Sequence, residues 1–341
     1  MLTTELCRQL GISLPIWNAG MGGGLAGPEL AAAVSEAGGL GTLGTGGLPA
    51  AVVRKEVRRA HELTDKPIAA NIILPLNEED DPGINACLEE GVSVLVLFFG
   101  SVAPYVDRAH AAGTKVVAHV GSVEEARAAA DAGADAIMIQ GIEAGGHVRG
   151  VDPLLVALPA VVDAVGPVPV IASGGIADGR GLASALVLGA QAVSMGTRFL
   201  ASNESRSAYK DRVVKARATD TWHTTLFDVE WPNASHRVLR NTLVEEWELA
   251  GSPESGKRPH EGEVLGRMPI GGVDGDVVDV PAYSIFMPME GFEGDLDRSC
   301  LYAGQSCELV DEVLPAADLV ATIASEAESA LERALGTTRS G

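Results

Sequence analysis

Between residues 14 and 200 the chain alternates short apolar runs with longer amphipathic stretches. The apolar runs cover 14–20, 40–43, 67–74, 92–99, 115–119, 135–139, 168–172 and 192–195. They are rich in Val and Ile and lack a polar alternation, as strands buried on both faces do. The stretches between them, 28–37, 50–63, 83–90, 103–112, 123–132, 153–165 and 179–188, read as helices. Pro28 suits a first helical turn, and Gly38-Gly39 stops that helix. Two helix-to-strand joints are alike, Asp131-Ala-Gly-Ala-Asp-Ala136 and Leu188-Gly-Ala-Gln-Ala192. Eight evenly spaced strand–helix units predict an α/β fold of the (β/α)8 TIM-barrel type, with a doubly wound open sheet as the alternative.

After Ala201 the rhythm stops. Residues 206–219 read as a helix, while 220–299 are polar with scattered proline and glycine. Residues 309–335 form an alanine-rich amphipathic stretch broken by Pro315. The expected organisation is a barrel over 1–202, a lid-like insertion over the barrel mouth at 203–300, and a C-terminal return segment with helices packing on the barrel at 301–341.

Composition sharpens this picture. Aromatic residues are only 4% against 41 glycines, which favours small-residue turns over an aromatic-rich sandwich. A net charge of -21 repels phosphate backbones and anionic bilayers, so neither nucleic acid nor a membrane is an expected partner. Cys7, Cys87, Cys300 and Cys307 form no CxxC pair and no zinc spacing, which reads as free thiols and no metal. The first residues lack a basic segment followed by an apolar core, and no apolar run approaches the roughly 18 residues of a bilayer span. A cytoplasmic protein is expected. A homo-oligomer stays open.

The chemistry concentrates at strand ends, which share one rim in such a barrel. The richest is Gln140-Gly-Ile-Glu-Ala-Gly-Gly-His147, a flexible loop with one imidazole. It reads as a catalytic loop or as a glycine turn with a surface histidine. Ser173-Gly174-Gly175 and Gly196-Thr197 fall in the two loops where such barrels hold phosphate with backbone N–H groups. Asn18, Asn71 and Gln140 offer amide edges for a flavin or nucleobase ring, or for local backbone. His119 is either a second pocket residue or a core-edge histidine. Glu143 is a base or a capping carboxylate. No Ser-His-Asp set, HExxH or Walker A sequence is present.

Taken in order, Pro15-Ile-Trp-Asn-Ala-Gly-Met21, Ala37-Gly-Gly-Leu-Gly41, Gln140 to His147, Ala172-Ser-Gly-Gly-Ile-Ala-Asp-Gly-Arg180, Met195-Gly-Thr-Arg-Phe199 and Tyr302-Ala-Gly-Gln305 resemble the nitronate monooxygenase family, once called 2-nitropropane dioxygenases. FMN-dependent enoyl-ACP reductases and quinone reductases share most of this set. The resemblance implies an FMN-binding barrel. Gly174, Gly175, Gly196 and Thr197 would hold the phosphate, and Ala19, Gly20, Met21, Asn71 and Gln140 the ring. Gly145, Gly146 and Ser173 would complete the cofactor set. His147 matches the active-site histidine, and Gly22, His119 and Tyr302 are candidates for substrate contact. The chain departs from the family at Asn18, where many relatives carry glutamine. It departs again at Val148, which separates the histidine from Arg149-Gly150.

The implied activity is oxidation of alkyl nitronates, with nitroalkanes as a second substrate form, by O2 to a carbonyl compound and nitrite. The alternative is an NAD(P)H-dependent reductase of an enoyl thioester or quinone. A flavin-binding protein without turnover is a third reading.

Overall fold

The computed structural model describes residues 2–76, 82–272 and 275–337. Residues 338–341, the end of the expected C-terminal segment, lie outside them. Each apolar run of the first 200 residues forms a strand. They are β1 (Ile16–Asn18), β2 (Gly41–Gly44), β3 (Ile68–Ile73), β4 (Val94–Phe98), β5 (Lys115–Val120) and β6 (Ala136–Gln140), then β8 (Val170–Ser173) and β9 (Ala192–Met195). Between β6 and β8 a two-residue strand, β7 (Gly146–His147), lies outside the barrel sheet.

The eight barrel strands are parallel, in the order β1-β9-β8-β6-β5-β4-β3-β2. The ring closes through a parallel bridge between Trp17 and Leu40 and a 3.0 Å bond from the Leu40 N–H to the Ile16 carbonyl. A side chain extends that seam. The amide of buried Asn18 accepts from the Thr42 N–H and donates to the Thr42 carbonyl, both at 2.8 Å. The seam also needs glycine, because a Cβ on Gly44 would sit 1.6 Å from the Met21 carbonyl oxygen.

Inside the barrel, Trp17, Leu40, Val94, Val96, Val117, Met138 and Ile171 fill the axis. The helix Glu5–Leu10 adds Leu6, Cys7 and Leu10 to this cluster, so the N-terminus plugs the barrel floor. A second, larger core lies between strands and outer helices. These two layers leave the opposite rim, where the strands end, to carry a site.

The remaining strands are β10 (Thr221–Thr224), β11 (His236–Leu239), β12 (Val264–Pro269), β13 (Val277–Pro281) and β14 (Glu293–Gly294). They form two small antiparallel sheets, β10-β11-β7 and β13-β12-β14. The expected helix over 206–219 is shorter, Lys210–Lys215 followed by a 3-10 turn at Ala218–Asp220. The amphipathic stretch expected from 309 begins its helix only at Ala316 and runs to Thr337. Pro315 lacks the N–H that a helix interior requires and instead stands just before its start. This helix buries Leu319, Val320, Ile323 and Ala327 against the barrel's outer helices. All four cysteines are buried free thiols. No helix among the described residues is long and apolar enough to cross a membrane.

Candidate active site

The strand ends surround a cavity with about 1330 Å³ of empty space, counting the part that opens to solvent. Ala19, Gly20, Met21 and Gly22 reach it from β1, Asn71 from β3, His119 from β5 and Gln140 from β6. Gly145, Gly146 and His147 come from the next loop. Ser173, Gly174 and Gly175 follow β8, Gly196 and Thr197 follow β9, and Tyr302 arrives from the C-terminal return. The structure thus brings to one space every residue that the resemblance assigns to catalysis, cofactor or substrate, while Asn18 and Glu143 do not line it. Among the described residues its lining includes no Asp, Glu, Lys or Arg.

The loops after β8 and β9 make an amide-rich corner. Gly174 and Gly175 both have positive φ, 92° and 71°, a conformation L side chains rarely adopt. At Gly174 a Cβ would also press on Ala144, at 3.0 Å. No backbone carbonyl among the described residues accepts from the N–H of Gly174, Gly175 or Gly196. Unpaired amides in a cavity wall are costly unless a ligand or water meets them. Thr197 Oγ1 accepts from the Gly304 N–H at 3.0 Å, so its own proton remains free to donate.

The three amides on the sequence shortlist differ in employment. Asn18 spends its side chain on the barrel seam. Asn71 donates to the Val96 carbonyl at 3.1 Å. Gln140 donates to the His147 carbonyl at 3.0 Å and accepts from the Arg149 N–H at 2.7 Å. Gln140 therefore clamps the histidine loop on both sides of Val148, which accommodates the residue that separates His147 from Arg149-Gly150. Glu143 accepts from the Leu154 N–H and caps the helix Leu154–Val165, so it is engaged as a cap.

His147 is held on three sides. Its backbone pairs with His236 in β11. Its ring lies 4.4 Å from Trp231, 5.5 Å from Tyr302 and 5.6 Å from His236. Its Nε2 is buried without a hydrogen-bond partner. Desolvation, helped by the nearby His236, pushes its pKa down to about 3, so the ring is neutral at physiological pH. His236 is neutral too, held near 4 by burial while Nδ1 bonds the Ala234 carbonyl at 2.8 Å. Tyr302 donates from its hydroxyl to the Ile285 carbonyl at 3.0 Å, and burial raises its pKa.

Several neighbours were not visible in the sequence. Tyr209, Ile285, Phe286 and Met287 line the cavity from the 203–300 segment. Trp231 covers His147 from the same segment, and Phe99 meets both rings from the end of β4 with a positive φ of 61°. That segment has no periodicity to place its residues, and no composition signal marks which of its aromatics turn inward.

Against known proteins, the family model described as nitronate monooxygenase matches residues 3–326. FabK from Thermotoga maritima superposes with a TM-score of 0.81 at 36% identity, covering 99% of this chain and 100% of that one. A nitroalkane oxidase from Streptomyces ansochromogenes superposes at 0.74 with 27% identity, covering 96% and 99%. A Mycobacterium tuberculosis protein named "(3aS,4S,5R,7aS)-5-hydroxy-7a-methyl-1-oxo-octahydro-1H-indene-4-carboxyl-CoA dehydrogenase" is 39% identical over 251 residues, 72% of this chain and 69% of its own length. Fold, cavity and matches together define a flavin-dependent oxidoreductase built on a TIM barrel. More narrowly, the chain belongs to the nitronate monooxygenase family.

Proposed function

We propose that the cavity binds FMN and that the enzyme oxidises alkyl nitronates with O2 to a carbonyl compound and nitrite. The fit to FMN rests on the amide-rich corner. The N–H groups of Gly174, Gly175 and Gly196 and the Thr197 hydroxyl are donors in search of an anion, and they would hold the phosphate. Ala19 to Met21, Asn71, Gly145, Gly146 and Ser173 would border the ring. Gln140 supports that border with the amide hydrogen its loop bonds leave over. Bound there, FMN supplies the one- and two-electron chemistry that no side chain in the wall offers.

The observation that carries the reading is His147 itself, which lines this cavity and whose Nε2 has no hydrogen-bond partner within the fold. A neutral imidazole donates or accepts one hydrogen bond at a nitronate oxygen and thereby orients it. With a pKa near 3 it is a weak base, which favours the already deprotonated nitronate over the neutral nitroalkane as substrate. Ile73, Leu76, Ile285 and Met287 offer an apolar wall for the alkyl group. Ile285 and Met287 come from the 203–300 segment, which would act as the lid.

A second reading, an NAD(P)H-dependent reductase of a thioester or quinone, draws on a specific feature. Among the described residues the lining carries no charged side chain, which suits an uncharged acyl group, and a relative with 39% identity is named for a CoA thioester. The two are separated by an anaerobic visible spectrum of the flavin-loaded protein. Bleaching by an alkyl nitronate but not by NADH or NADPH supports the monooxygenase. Rapid bleaching by a pyridine nucleotide overturns it in favour of the reductase.

A further inference from the structure

His119 ends β5 on the wall of the cavity, among Val96, Phe98 and Met138. Its ring stacks on Phe98 with centroids 4.0 Å apart and planes 15° from parallel, which fixes its direction. Its Nε2 is buried and meets no hydrogen-bond partner. A buried imidazole nitrogen without a partner is a standing penalty that an apolar residue of the same shape would remove. Burial drives its pKa down to about 3, so the nitrogen is not kept for charge. Its register partners on the two neighbouring strands, Phe98 and Met138, are an aromatic and a thioether, and neither calls for the polar atom.

We propose that His119 is a second substrate-binding residue, whose Nε2–H donates a hydrogen bond to a nitro or carbonyl oxygen of the bound substrate. Two neutral imidazoles, His147 from the loop after β6 and His119 from the end of β5, then read the polar atoms of a substrate whose remainder meets only apolar wall. The residue acts by binding, with no proton transferred. The inference rests on the nitronate reading for its assay.

The test is steady-state kinetics of His119→Phe and His119→Gln with an alkyl nitronate, alongside flavin content and melting temperature. Phenylalanine keeps the stack on Phe98 and removes the nitrogen. It is expected to raise KM about tenfold, the worth of one hydrogen bond. It should change kcat less than about twofold, leave flavin content alone and hold or raise the melting temperature. Glutamine, which carries an N–H to a similar point, restores part of the KM. An unchanged KM in His119→Phe overturns the proposal and leaves the ring a packing element. Should the phenylalanine variant fail to fold, His119→Leu carries the same prediction and the same refutation. Wild-type enzyme that turns over a thioester but no nitronate sinks the nitronate reading instead, and the same KM comparison is then made with the thioester.

Discussion

At the scale of single residues, three histidines set the behaviour of the site with pH. His147 and His119 are held near pKa 3, and His236 near 4, all by burial first. Each would ionise near 6.5 in an unfolded chain. Between those values the unfolded chain binds more protons than the folded one, so stability rises with pH over this window. Lowering the pH from about 7 to about 5 should destabilise the protein, these three rings contributing a slope of at most three protons. Urea unfolding at the two values reads it, and His236→Phe should flatten the dependence by removing one proton. A stability independent of pH over that range would show these rings charged in the fold. The same depression predicts that kcat/KM for a nitronate has no inflection near pH 6.5 from His147. Replacing His147 with Ala should lower kcat/KM by about a hundredfold, the usual cost of one active-site donor, with flavin content unchanged. Full activity in that variant would remove the histidine from the mechanism.

Among elements, the seam between β1 and β2 is the barrel's weak join, since only a backbone bridge and the Asn18 side chain complete it. Asn18→Ala would strand the N–H and the carbonyl of Thr42 in a dry interior. At roughly 1–3 kcal/mol for each buried group left unpaired, the variant should lose about 2–6 kcal/mol of stability. Chemical denaturation measures it, and a loss under about 1 kcal/mol would show that water replaces the amide. The eight strands were legible because burial on both faces leaves an unbroken Val and Ile signal that no tertiary detail can hide. The rim loops were legible because the Gly174-Gly175 pair and Gly196-Thr197 mark backbone positions rather than packing. The job of Asn18 was not, because an amide that mimics a strand rung looks in sequence like an amide that faces a ligand. Nor was the two-residue strand at Gly146–His147, which exists only because β11 lies beside it. Trp231 and Phe286 escaped for a related reason. Their segment has no repeating pattern from which the inward-facing aromatics could be read.

For the whole molecule, the chain's last helix is tied to the loop that would hold the cofactor phosphate. Gly179, four residues beyond Gly175, opens the helix Gly179–Val187. Its N–H donates to Glu326 Oε2 at 2.9 Å, and a Cβ there would lie 2.3 Å from the Ala327 nitrogen and from Glu326 Cβ. The helix Ala316–Thr337 can pack this closely only because residue 179 has no side chain. Gly179→Val should therefore lift the terminal helix and uncover Leu319, Val320, Ile323 and Ala327, residues buried to within a few per cent. Overpacking of this kind costs about 1–3 kcal/mol, with the lost burial adding to it. The strain is expected to reach the loop at Gly174-Gly175 through the start of the same helix. Two quantities should then fall together, the melting temperature of the flavin-free protein and its affinity for FMN measured by fluorescence quenching. A lower melting temperature with FMN affinity intact would confine the effect to packing of the outer layer. Both values unchanged would mean that the terminal helix shifts without cost, and the contact at Gly179 would lose its place in the argument.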